Sequence, residues 1–125
     1  MPSHDDNVID VFSHTKHLTP AHPQDELILT NFGGGLKLEF SIRADDHGRV
    51  CDVKLSDNNA PSFEPISTTP GDTGEIIQYA PRGVLVAVFI NKTHKDRVSF
   101  QTLATRTSDT TDNWKTLLSH INPQL

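Results

Sequence analysis

Apolar and polar residues alternate strictly along residues 36–44. Leu36, Leu38, Phe40, Ile42 and Ala44 are separated by Lys37, Glu39, Ser41 and Arg43. A period of two sustained this long predicts a half-buried β-strand with one face in water. Asp45-Asp46-His47-Gly48 supplies the residues of a tight reversal, and the chain then alternates again, with Cys51, Val53 and Leu55 on one side and Asp52 and Lys54 on the other. The two segments read as a β-hairpin. Upstream, the short apolar run Leu27–Phe32 stops at Gly33-Gly34-Gly35, which neither starts a helix nor packs a strand and so predicts a tight connection.

Downstream, residues 56–74 carry Pro61, Pro65 and Pro70 among Ser, Thr and Asn, and predict a long surface crossing pinned to the core by Phe63 and Ile66. Glu75–Tyr79 is a short strand ended by the turn Ala80-Pro81-Arg82-Gly83. Val84–Ile90 is apolar without interruption, which predicts a central strand covered on both faces, with Phe89 in the core. After the charged turn Asn91–Asp96, residues 97–103 alternate again and send Val98, Phe100 and Thr102 to one side. The run Val8–Phe12 fits an edge strand within an otherwise polar segment.

The period changes at the C-terminus. Trp114, Leu117, Leu118 and Ile121 fall at i, i+3, i+4 and i+7, one stripe of a helix, with Ser108–Asp112 offering caps and Pro123 a stop. Six or seven strands with one terminal helix predict an all-β fold, an antiparallel β-sandwich with a short C-terminal amphipathic helix. The expected organisation is a polar segment at 1–23 with one edge strand, a β-sandwich domain at 24–106, and a linker with the helix at 107–125.

Composition narrows the function classes. The 125 residues include 11 Lys and Arg against 16 Asp and Glu, a net charge of −5, which argues against broad attraction to nucleic acid. No stretch approaches the ~20 apolar residues of a membrane-spanning helix. Cys51 is the single cysteine; it allows no intramolecular disulfide and suits a reducing compartment. Met1-Pro2-Ser3-His4-Asp5-Asp6 has neither the basic nor the apolar part of a secretory signal. A cytoplasmic setting is expected.

Candidate chemistry is sparse. His14 and His17 are spaced H-x-x-H, with His4 and His22 nearby, a weak metal pattern because ligation needs convergence and a third donor. Asp45–Gly48 lacks the alternating acids of a calcium loop. Cys51, on the inward side of its strand, reads as a small apolar group. No nucleophile elbow or phosphate loop is present. These readings predict a protein that is not an enzyme and needs no cofactor or metal. One basic cluster stands out on an acidic chain: Lys92, His94, Lys95 and Arg97 in one turn, with Arg82 in another. It is the candidate contact for another protein or an anionic membrane surface.

The order of features from the glycines onward resembles a GOLD (Golgi dynamics) domain. The resemblance rests on Gly35–Ile42, on Val50–Leu55, and on Gly83–Asn91 with its Phe89-Ile90-Asn91 ending, followed by Val98-Ser99-Phe100. Leu85 stands where that family often has an aromatic residue, and Ile90 where an acidic one is usual. The paired cysteines of its lumenal branch are absent, so the similarity is to the cytosolic branch. The resemblance implies a non-catalytic protein-interaction module, an adaptor in vesicle traffic at the cytosolic face of Golgi or vesicle membranes. Two other readings stay open: a small-ligand or metal-binding β-sandwich using the N-terminal histidines, and a pathogen or phage protein acting through an interaction surface.

Overall fold

In the computed structural model, residues 8–45, 48–69, 74–94 and 96–106 are described. They form eight strands: β1 (Val8–His17), β2 (Gln24–Phe32), β3 (Leu36–Asp45), β4 (Gly48–Ser56), β5 (Ser67–Thr69), β6 (Gly74–Tyr79), β7 (Val84–Asn91) and β8 (Arg97–Arg106). The fold is all-β. Two antiparallel sheets result, one ordered β1-β8-β7-β6-β5 and the other β2-β3-β4. The C-terminal helix expected within 107–125 lies outside the described residues, as do His4, Asp46, His47 and Lys95.

The alternation in β3 and β4 becomes one apolar face. Leu36, Leu38, Phe40 and Ile42 are buried, and the β3–β4 register sets Leu38 opposite Leu55 and Ile42 opposite Cys51. From the five-stranded sheet, Val86, Val88 and Ile90 of β7, Val98 and Phe100 of β8, and Ile77 and Tyr79 of β6 join the same core. Phe40 stacks on Phe100, ring centroids 4.3 Å apart and 13° from parallel, which ties one sheet to the other. β7 is the middle strand of its sheet, as its unbroken apolar run predicts.

Phe89 is a buried residue of the central strand, as expected, but not in the core shared by the two sheets. It packs with Ala87 and Leu103 in a second cluster on the opposite face of the five-stranded sheet. The core-facing residues of β7 are Val86, Val88 and Ile90, so a period of two places Phe89 on the outer side. Two corrections concern the 56–74 crossing. Its residues 67–69 form β5, a polar edge strand held by backbone pairing to β6, which side-chain pattern does not announce. Phe63 packs against the core as expected, but Ile66 is 62% exposed.

β1 is present and longer than the Val8–Phe12 run. Its polar half, Ser13–His17, continues the ladder because β8 offers partners as far as Arg97. The glycine connection is held from β1: the Asp10 Oδ2 atom accepts the Gly33 backbone N–H at 3.0 Å. Gly33 adopts φ +60°, and a Cβ there would lie 3.1 Å from the Ala104 Cβ, so backbone conformation and space both require glycine.

Candidate interaction surface

The basic turn after β7 is partly spent inside the protein. Lys92 points at Glu75 of β6 and forms an ion pair with it that is largely withdrawn from solvent. Asn91 shapes the turn by accepting the Thr93 N–H on its side-chain oxygen at 2.9 Å. The Asp96 carbonyl accepts the Leu18 N–H at 2.7 Å, which tethers the turn to the end of β1. His94 is exposed. Arg97, half-buried, has the Asp96 carboxylate 3.9 Å away. Arg82, in the β6–β7 turn, is committed to Asp57. Of the four residues singled out in this turn, His94 is exposed and Arg97 half-buried, Lys92 is turned inward, and Lys95 lies outside the described residues. Sequence spacing marked the cluster but carried no sign of Glu75, which comes from another strand.

The histidine pair is separated by its own strand. β1 places His14 on the side of Phe12, where its ring lies 6.0 Å from Phe12 and 6.1 Å from Phe100. His17, an odd number of residues on, falls on the other face. His22 sits in the β1–β2 connection, its N–H bonded to Thr19. Among the described residues, no three His, Cys, Asp or Glu side chains come together as a metal site would need. Cys51 is equally committed. Burial pushes its thiol up to about 12, and the nearby Glu75 and Asp52 carboxylates add to the rise, so it stays protonated near neutrality.

The surface that remains open is the margin of β1. β1 is a terminal strand of its sheet, paired with β8 on one side, and among the described residues nothing pairs with the other. Its ends are anchored by Asp10 on Gly33 and by Lys16 on Asp25, 3.2 Å away. Between these anchors the strand presents Val11, 50% exposed, and just before them Ile9, 37% exposed. On the outer face beside it, a polar groove of about 460 Å³ runs between Ser13 and Thr15 of β1, Ser99 and Gln101 of β8, and Asn91 of β7. Thr15 and Ser99 hydroxyls meet at 3.0 Å along its floor. The sequence signal for this surface was the Val8–Phe12 run, which fits an edge strand but does not include the polar half of β1, Ser13–His17.

Comparison with family models, curated proteins and solved structures gave no match to this chain. No helix of the described residues is long and apolar enough to cross a membrane.

Proposed function

We propose that this chain is a non-catalytic protein-interaction module, a β-sandwich of GOLD-like design that binds an extended segment of another protein along β1. The observation that carries the reading is that β1 ends its sheet with no partner on its outer side among the described residues, and that Val11 is half-exposed beside that margin. An edge strand of ten residues offers alternate backbone N–H and C=O groups to an added strand, and the side chains beside it select the partner. Here the selection would be apolar next to Val11 and hydrogen-bonding next to Ser13 and Thr15. The protonated, buried Cys51 and the opposed His14 and His17 favour binding over catalysis or metal chemistry at these positions. The setting at cytosolic membranes of the Golgi or of vesicles rests on the GOLD resemblance alone.

The test compares the full chain with Val11→Lys and with His94→Glu as bait in cell lysate. A lysine on the strand face disfavours strand addition beside it. A partner held by the full chain and by His94→Glu but lost with Val11→Lys supports β1 as the contact. Recovery insensitive to Val11→Lys and abolished by His94→Glu returns the contact to the basic turn. A chain that retains no protein at all overturns the module.

A further inference from the structure

The polar groove beside β1 is built from three strands in register. Ser13 stands opposite Gln101, and Thr15, Ser99 and Asn91 form the next row. A period of two turns all five side chains to the face that carries Phe89. Ser13 and Thr15 are exposed, Ser99, Gln101 and Asn91 are half-buried, and about 460 Å³ of open space lies against them. His14 and Phe100 also border the groove, but their rings belong to the opposite face, where they meet. Among the described residues, the side chains turned to the groove are therefore three hydroxyls and two carboxamides, with no charge. Solvation alone does not call for that set: the outer face of the three-stranded sheet meets water with Lys37, Arg43, Asp52 and Lys54. Nor are the polar atoms of the groove spent on one another. The Thr15 and Ser99 hydroxyls share one hydrogen bond at 3.0 Å, which leaves one hydroxyl proton and lone pairs on both oxygens. Asn91 gives its side-chain oxygen to the Thr93 N–H and keeps its amide N–H groups. The Gln101 Oε1 atom is withdrawn from solvent and has no hydrogen-bond partner, an unmet acceptor that calls for a donor.

We propose that this groove is a binding site for a neutral saccharide. The occupant follows from what the groove offers and from where it lies. Neutral donors and acceptors set side by side match hydroxyl groups, each of which both donates and accepts. Phosphate, carboxylate and ammonium groups are disfavoured, because they would lose hydration at these residues without gaining a counter-charge. A peptide suits the position poorly. On the face of a sheet the backbone groups of the strands are already paired in the ladder, so a peptide lying there meets side chains only and leaves its own N–H and C=O groups bare. A saccharide has no such backbone and carries its hydroxyls around the ring. Neighbouring strands lie about 4.8 Å apart and alternate residues about 6.8 Å apart along each strand, a grid on the scale of one sugar ring. The volume of the groove falls within the range of small-ligand sites, about 300–1,000 Å³. Hydrogen bonds hold the ligand without an aromatic platform, so the expected affinity is millimolar. The inference does not rest on strand addition at β1, since Ser99, Gln101 and Asn91 belong to β8 and β7, inside the sheet.

The test titrates the isotope-labelled full chain, followed by amide NMR, with maltotriose, cellotriose and mannotriose at millimolar concentration. Glucuronate serves as the charged control and an extended Ser/Thr/Gln peptide as the rival occupant. The expected result is a saturable shift of the Ser13, Thr15, Ser99, Gln101 and Asn91 resonances with at least one neutral saccharide, and none with glucuronate or the peptide. Ser99→Ala should weaken that binding about five- to ten-fold, the loss of one or two hydrogen bonds. Asn91→Asp keeps the acceptor for the Thr93 N–H but replaces the amide donor with a charge, and should abolish it. Thermal melts that match the unaltered chain show that the variants are folded; where Asn91→Asp melts lower, Ser99→Ala alone reads the site. Val11→Lys should leave saccharide binding unchanged, so that failure of strand addition and failure of this site are told apart. The proposal is overturned when none of the saccharides shifts the groove resonances, when the shifts lie elsewhere, when the peptide occupies the groove and the saccharides do not, or when Ser99→Ala binds as the unaltered chain does.

Discussion

Arg82 and Asp57 join the two sheets at one end: the Arg82 Nε donates to the Asp57 Oδ2 at 2.5 Å, linking the β6–β7 turn to the residue that follows β4. The same guanidinium lies over the Phe63 ring, 5.7 Å from its centroid, and so fastens the long crossing as well. Arg82 reaches this position from a left-handed backbone, φ +47°, beside Gly83. Asp57 also accepts the backbone N–H groups of Asn59 and Ala60, at 2.8 and 2.7 Å.

Burial pushes the Asp57 carboxyl up, but the Asn59 and Ala60 N–H groups and Arg82 outweigh it and hold the group below its usual range. A carboxyl depressed in the folded state contributes stability that is present above its unfolded value, about 3.9, and lost as pH falls through the folded one. Denaturant midpoints measured from pH 6 down to pH 2 should therefore fall, and Asp57→Asn should flatten that dependence while lowering the midpoint at pH 6. An identical pH profile in the variant would remove Asp57 from the linkage.

Cys51 should resist thiol reagents. With its thiol raised to about 12, roughly one molecule in 10⁵ is thiolate at pH 7. A colorimetric disulfide reagent should label it within minutes in denaturant and slower by orders of magnitude in the native protein. Equal rates in both states would place the thiol at the surface.

Truncating either ring of the Phe40–Phe100 stack should be severe. Phe100→Ala is expected to cost about 3–5 kcal/mol, a large share of the stability of a domain this size, read from chemical unfolding. A cost below about 1 kcal/mol would contradict a core shared by the two sheets.

At Gly33, alanine meets a left-handed backbone and the Ala104 methyl together. Gly33→Ala should destabilise by about 1–2 kcal/mol or more. Asp10→Asn retains an acceptor for the Gly33 N–H and should cost less than Asp10→Ala. The order of the two unfolding midpoints checks this.

In the turn after β7, charge reversal should separate an internal pair from a surface group. Lys92→Glu sets two carboxylates against each other in a largely enclosed position and should destabilise by about 2 kcal/mol or more. His94→Glu, on an exposed residue, should stay within about 0.5 kcal/mol. Equal effects in thermal melts would mean that Lys92 is not turned inward.

Local pattern sufficed wherever one face of a strand is apolar and the other polar. Leu36–Ala44 and the Cys51–Leu55 return strand announced their inner residues by period alone, and the three glycines announced the break between β2 and β3. The rule lost its power on β7, where both faces are apolar. There the sequence could require a central strand but could not say that Val86, Val88 and Ile90 face the other sheet and Phe89 faces away, since that depends on which side the second sheet lies. Polar strands were invisible for a related reason: β5 and the second half of β1 are held by backbone pairing to β6 and β8, and a backbone bond leaves no mark on side-chain composition. The candidate surface shows the same division. Lys92, His94 and Arg97 were legible as a charged cluster, but Glu75, which draws Lys92 inward, becomes its neighbour only when β6 pairs with β7. Strand periods and turn residues are properties of adjacent positions, and the sequence by itself determined them. Sheet order, the inner side of β7 and the partner of each charge arise between distant positions, and only the tertiary structure decided them.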